Sequence, residues 1–276
     1  MPEAFHYAPV DVAGIRRRMS LLAAWIDTND PALIVTDVSV EIALFARLMG
    51  VRTAVMRLAG ARTDVPHLEA FRSAASILTP FPSAFESSET PQWVRDKTFY
   101  GGFLAPPAVT AAPSTEARRV VVVLGSGGTR ISSAALASAA NATPRMDWHV
   151  YGPALPAVPA PNLTFHGWRP DIANAIDEAD VVVGGAGDGL LAEVATRGKR
   201  FICFPEDRPF DEQVDKARTL ARLGLAVVLE GWPDPEGWVD VFRKVGSLNT
   251  ERLRALADPH AVAAFAAKIE SVAAGA

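Results

Sequence analysis

The stretch Gly184–Gly198, GGAGDGLLAEVATRG, follows ADVVV and precedes KRFICFP. A valine run, a glycine cluster and a segment with leucine and alanine read as strand, turn and helix. At such a junction the first N–H groups of the helix lack intrahelical partners and are open to an anion. Gly184, Gly185, Gly187 and Gly189 let the backbone approach a ligand closely. Asp188 sits in the same turn, where its charge repels a phosphate. Two readings stand side by side. One is a phosphate-binding turn. The other is a helix from about Leu190 with Asp188 as its N-cap and Glu193 as a favourable acid near its start. Glu193, about one turn in, can accept two hydroxyl hydrogen bonds, as from a ribose diol.

Alternation of apolar strand-like runs with alanine-rich helical segments extends from this stretch both ways, which argues for an α/β protein with parallel sheets. Upstream, RVVVVLGSGGTR opens a second unit spanning 118–276, with strands expected at DWHVYG, NLTFHGW, DVVVG, KRFICFP and LAVVLE and a mostly helical tail from Trp232. APPAVTAAPSTEARR, rich in Pro, Ala, Ser and Thr, reads as an interdomain linker over 105–117. The first unit, 1–104, opens on an amphipathic helix over 12–26 and supplies about three strands, beginning with PALIVTD. A doubly wound half normally starts with a strand and a glycine turn, so this unit reads as incomplete.

Several classes are excluded. A net charge of −4 gives no nucleic-acid footprint. No apolar run approaches the ~20 residues of a membrane span, and the N-terminus has no secretory pattern, so a cytoplasmic protein is expected. The single cysteine, Cys203, lies in an apolar strand and reads as core rather than nucleophile. His6, His67, His149, His166 and His260 are scattered without metal-ligand spacing, and no Asp-x-Asp or G-x-S-x-G occurs, so no metal and no cofactor is expected.

Two more segments carry candidate chemistry. In LGSGGTRISS the glycines are Gly125, Gly127 and Gly128, but the third position of a dinucleotide fingerprint falls on Arg130, and no Gly-Lys-Ser/Thr follows. What remains is a turn with free N–H groups and the hydroxyls of Ser126 and Thr129, or simply a tight strand-to-helix connection. FPEDRPFDEQVDKA places Asp211, Glu212 and Gln213 at a helix start, where acids are favoured in any case. The same cluster suits a grip on sugar hydroxyls. In FHGWRPD, His166 and Trp168 stand where a base can stack or where a tryptophan simply packs.

Taken in order, these elements resemble the C-terminal domain of GT-B glycosyltransferases. The family contains the peptidoglycan-pathway UDP-N-acetylglucosamine transferase and related antibiotic glycosyltransferases (family 28 C-terminal domain). VVVLGSGGTR is similar to its first glycine turn, FHGWRPDIANAIDEADVVVGGAGDGLLAEVATRGKRFICFP to its nucleotide-sugar signature, and DEQVDKA to its acid-glutamine box. LIVTDVSVEIALFARLMGVRTAVMR and ILTPFPSAF resemble the second half of its N-domain. The resemblance implies two Rossmann-like domains, the first short by about 80–100 residues. It implies inverting, metal-independent transfer from a nucleoside diphosphate sugar, UDP first, to a small-molecule or lipid-linked acceptor. The donor itself is a co-substrate rather than a cofactor.

The roles it implies are these. Trp168 meets the base. Gly187, Asp188, Gly189 and Leu190 surround the diphosphate, and Glu193 holds the ribose. Glu212 and Gln213, beside Asp211, face the donor sugar. Gly125, Ser126, Gly127, Gly128 and Thr129 floor the cleft. Asp37 and His6 are the candidates for the catalytic base. The chain departs from the family at Asp188 and Leu190, where neutral polar residues are usual, and at Lys216, where Asn is usual before Ala217. Two other readings stand beside transfer. One is a non-catalytic nucleotide-sugar-binding subunit, its exposed sheet edge covered by a second copy, a partner chain or the N-terminal helix. The other is a nucleotide-sugar epimerase.

Overall fold

Residues 7–108, 118–154 and 158–275 are described by the computed structural model. They divide into two units, 1–102 with 260–276, and 103–259.

The first unit runs α1 (Ala13–Asn29), β1 (Ile34–Asp37), α2 (Val40–Leu48), β2 (Thr53–Met56), α3 (Val65–Ser73), β3 (Ser76–Thr79), α4 (Gln92–Lys97) and β4 (Thr98–Tyr100). The strands are parallel in the order β1-β2-β3-β4, one more than the three expected, because KTFY pairs along β3. β1 is an edge, and its Val35 and Asp37 stay exposed. Val40, Ala43, Val55, Phe71, Ile77 and Val94 form the core between helices and sheet. Beside it the Glu86 carboxylate accepts from Arg57 Nη1 at 3.0 Å, Thr90 Oγ1 at 2.6 Å and Tyr100 Oη at 2.6 Å. Burial alone would raise this acid, but these donors hold it below the ordinary carboxylate value.

The second unit runs β5 (Arg119–Val123), α5 (Ser133–Ala142), β6 (Asp147–Tyr151), β7 (Leu163–Gly167), α6 (Ala173–Glu178), β8 (Val181–Gly184), α7 (Asp188–Arg197), β9 (Arg200–Cys203), α8 (Glu212–Arg222), β10 (Val227–Val228), α9 (Gly237–Gly246) and α10 (Thr250–Arg254). Its six strands lie in the order β10-β9-β8-β5-β6-β7, all parallel. The chain builds outward from β5 through β6 to β7, then returns to the other side of β5 and builds outward again. This is the doubly wound order, and its reversal falls between β5 and β8. Val120, Val121 and Val122, like Val181, Val182 and Val183, are wholly buried, as strands covered on both faces must be. The expected last strand shrinks to Val227–Val228 at the sheet edge.

Cys203 is buried on β9, and burial pushes its thiol up to about 12, which fits its reading as core. The expected linker falls largely outside the described residues. The tail also differs from the expected boundary: α11 (Ala261–Ala274) is grouped with the first unit, not the second. Phe265 meets Phe99 edge-on with centroids 6.1 Å apart. Arg52 Nη1 donates to the carbonyls of Val272 and Ala273 at 3.2 and 2.9 Å, satisfying the helix end with a cation.

Two tryptophans anchor the core of the second unit, Trp148 and Trp238, T-shaped with centroids 5.1 Å apart and both fully buried. Trp148 Nε1 donates to Thr143 Oγ1 at 2.9 Å, whereas Trp238 Nε1 has no partner among the described residues. Trp148→Phe and Trp238→Phe lose similar volume, but only the first loses a hydrogen bond. Trp148→Phe is therefore expected to cost about 1–2 kcal/mol more in denaturant unfolding. Equal losses would remove this bond from the stability of the core.

Candidate functional site

Val123 on β5 and Gly184 on β8 are register partners, so the two glycine turns leave the sheet side by side at its reversal point. In open α/β sheets this is where ligands bind. What holds the turns is a pair of buried side chains from the segment after β9. Gln213 Oε1 accepts from Ala186 N and from Glu206 N, both at 3.0 Å. The Glu206 carboxylate accepts from Thr129 Oγ1 at 2.6 Å and from Arg130 N at 3.1 Å. One continuous chain of hydrogen bonds thus runs from the second turn to the first. Gly185 is required by it, since a Cβ there would stand 2.5 Å from Gln213 Oε1.

Between the turns lies a cavity of about 220 Å³, lined among others by Gly125, Gly128, Thr129, Gly187, Gly189, Leu190 and Gln213. These seven are residues that the sequence singled out, brought together from three separate segments. Ser126 and Gly127 belong to the same first turn but lie exposed, off the cavity lining. Glu206 and Arg208 also line the cavity, and sequence reasoning missed both. Their signal was faint: a Pro-bounded charged loop, EDR, directly after a strand that points at the site.

Asp188 needs a correction. The N-cap of α7 is Gly187, and the helix starts at Asp188 rather than near Leu190. The carboxylate points instead at α8, where Asp188 Oδ1 accepts from Lys216 Nζ at 2.8 Å. Lys216 is wholly buried and also donates to Glu212 Oε1 at 3.2 Å. Asp188 and Lys216, two separate departures from the family pattern, are therefore one ion pair. The Asp188 carboxylate is thus held both by a buried ammonium and by the start of α7, where an acid is favoured.

The remaining described candidates do not line this cavity. Glu193 pairs closely with Arg197 one turn on, and Arg197 Nε also lies 2.9 Å from Asp177. Burial raises Glu193 above the ordinary carboxylate value; Asp177 and Asp171 add to this and Arg197 opposes it. Trp168, after β7, is 61% exposed, so it is not a packed core residue. His166 beside it stacks on Tyr151 at 4.5 Å and meets His149 Nδ1 through Nε2 at 2.9 Å. Among the described residues no three His, Cys, Asp or Glu side chains converge as a metal site.

Asp211 is exposed and left-handed at φ 54°, following Phe210 at φ 60°. Two successive non-glycine residues in this region cost about 1–2 kcal/mol each, and strain of this kind gathers at functional sites. In the first unit, Asp37 ends β1, exposed, and the next residue is the β-branched Val38 at φ 63°. His6 lies outside the described residues.

Residues 120–271 match the model of the glycosyltransferase family 28 C-terminal domain. No curated protein matches significantly. The chain is similar in structure to the glycotransferase of kitacinnamycin, with TM-score 0.69 and 16% identity over 93% of this chain and 79% of that one. It is similar to the spinosyn rhamnosyltransferase SpnG complexed with thymidine diphosphate, with TM-score 0.65 and 20% identity over 98% and 84%. It is also similar to MurG of Acinetobacter baumannii, with TM-score 0.60 and 20% identity over 92% and 78%.

The clasp is testable without a ligand. Gln213→Leu leaves two buried N–H groups, of Ala186 and Glu206, without their acceptor, and is expected to cost about 2–5 kcal/mol. Gln213→Glu keeps an acceptor oxygen and is expected to cost less. Denaturant midpoints that rank the two variants the other way would remove Gln213 as the holder of the turns.

Proposed function

The chain belongs to glycosyltransferase family 28 through its C-terminal domain and is a glycosyltransferase of GT-B fold, and on that premise we propose that it moves a sugar from a nucleoside diphosphate sugar to an acceptor hydroxyl. The observation that carries the donor is the cavity between the two clasped glycine turns, with the first turn of α7 as one wall. The N–H groups of a helix start favour an anion, and the glycines admit a phosphate close to the main chain.

In the reaction, the acceptor oxygen bonds to the anomeric carbon while that carbon's bond to the β-phosphate oxygen breaks. The electron pair leaves with the diphosphate and the acceptor proton passes to a base. Preorganised N–H groups stabilise the charge that develops on the leaving oxygen. Inversion at the anomeric carbon and independence of a metal follow from the resemblance. Asp37 is the carboxylate in the first unit assigned to the base position, and the strained Val38 behind it supports that choice. Trp168 and His166 flank the loop after β7, where a pyrimidine base would stack. The thymidine diphosphate held by SpnG supports a pyrimidine donor. UDP is the first choice from the family, with dTDP next.

A melting-temperature screen with UDP, dTDP and GDP, followed by calorimetry, tests the donor site. A bound diphosphate at a hundred times its Kd adds about 2.7 kcal/mol of stability. A rise with a pyrimidine diphosphate, and transfer or slow hydrolysis of its sugar conjugate, is expected. No rise with any of the three sinks the donor reading. Binding without any turnover reduces the protein to a donor-binding module.

Asp188→Asn tests the ion pair in the same assay. Removing the carboxylate leaves Lys216 with Glu212 alone and lowers the negative charge facing a diphosphate. Diphosphate affinity is expected to rise about three- to tenfold. Unchanged or weaker affinity would place the diphosphate away from α7.

A further inference from the structure

The cavity lining contains two charged residues, Glu206 and Arg208. The Glu206 carboxylate is committed to Thr129 and Arg130. Arg208 is differently placed. Its guanidinium donates to Gly128 O through Nη2 at 2.9 Å and to Asp207 O through Nη1 at 3.0 Å. A guanidinium has five N–H groups, so these two bonds leave three without a protein partner among the described residues.

The guanidinium lies flat against the first glycine turn. A Cβ on Gly127 would stand 2.9 Å from Arg208 Nη2 and 3.2 Å from its Cζ, so only glycine admits this arrangement. The sequence behind Arg208 also fixes it. Pro209 locks the next φ, and the left-handed Phe210 and Asp211 turn the chain at once into α8, which carries Gln213. The opposite wall offers the N–H groups of α7, but Asp188 in that same helical turn subtracts from their field, and Lys216 is engaged with Asp188 and Glu212. Among the described residues that line the cavity, the cation is Arg208.

We propose that Arg208 contacts the diphosphate of the donor and stabilises the charge that reaches the β-phosphate oxygen as the bond to the sugar breaks. The inference rests on the donor-site reading above and assigns the cation of that site. Two N–H groups of a planar guanidinium match two phosphate oxygens, and the cation is worth more as the leaving charge grows. Arg208 should therefore count more in kcat than in KM.

The test uses the full chain and the variants Arg208→Gln and Arg208→Lys, with UDP, UMP and uridine as calorimetric probes, or the thymidine series if wild type prefers it. Glutamine retains a donor for Gly128 O but not the charge. Arg208→Gln is expected to weaken UDP at least tenfold, to leave uridine within twofold of wild type, and to lower kcat on the sugar conjugate more than it raises KM. Arg208→Lys should recover most of the loss. The assignment is overturned if Arg208→Gln binds UDP like wild type, if it loses uridine as much as UDP, or if lysine is no better than glutamine. The last two results would make Arg208 a staple of the turn. Failure of wild type itself to bind any nucleoside diphosphate would instead strike at the donor site as a whole, and the role of Arg208 would fall with it.

Discussion

A single carbonyl oxygen on the side chain of Gln213 accepts two main-chain N–H groups, one just after β8 and one just after β9. A turn of glycines has little of its own to fix its shape, since glycine loses more freedom on ordering than any other residue. Here the ordering comes from outside the turn. Gln213 holds the second turn, the backbone of Glu206 is held by the same oxygen, and the carboxylate of Glu206 holds the first turn. Buried amide and carboxyl groups at low dielectric make these bonds strong when satisfied and costly when not. The cavity keeps its shape because Gln213 and Glu206 hold both turns in place.

Charge is arranged around that scaffold in compensating pieces. An acid at the start of α7 opposes the helix field, and the buried Lys216 offsets the acid. Glu206 spends its charge on main-chain donors of the first turn. Arg208 then stands at the cavity with N–H groups to spare, held there by a strained backbone immediately after it. In this chain the acid of the second turn and the lysine of the acid-glutamine box form one ion pair.

The glycine turns were legible because the signal is local: valines, then glycines, then helix formers. The parallel α/β class was legible for the same reason. The place where the strand order reverses was not, since pairing of β5 with β8 joins segments that the sequence separates by two strands and two helices. Asp188 read as a misfit because its partner lies 28 residues away on another helix, and only the fold brings Lys216 to it. Glu206 and Arg208 sit in a short charged loop between two prolines, and nothing local tells what they face. The tail misled for a related reason. An alanine-rich amphipathic helix says that it packs, not on what, and Phe265 and the last carbonyls find Phe99 and Arg52 near the start of the chain.

That return of the tail has a consequence for how the protein is made. The first unit is discontinuous: its sheet is built before residue 103, and its closing helix arrives only after residue 259. At bacterial or eukaryotic translation speeds the interval is on the order of 10–30 s. Until then the first unit must wait with its strands uncovered at the place where α11 will dock. The part of the chain synthesised first is thus the part completed last.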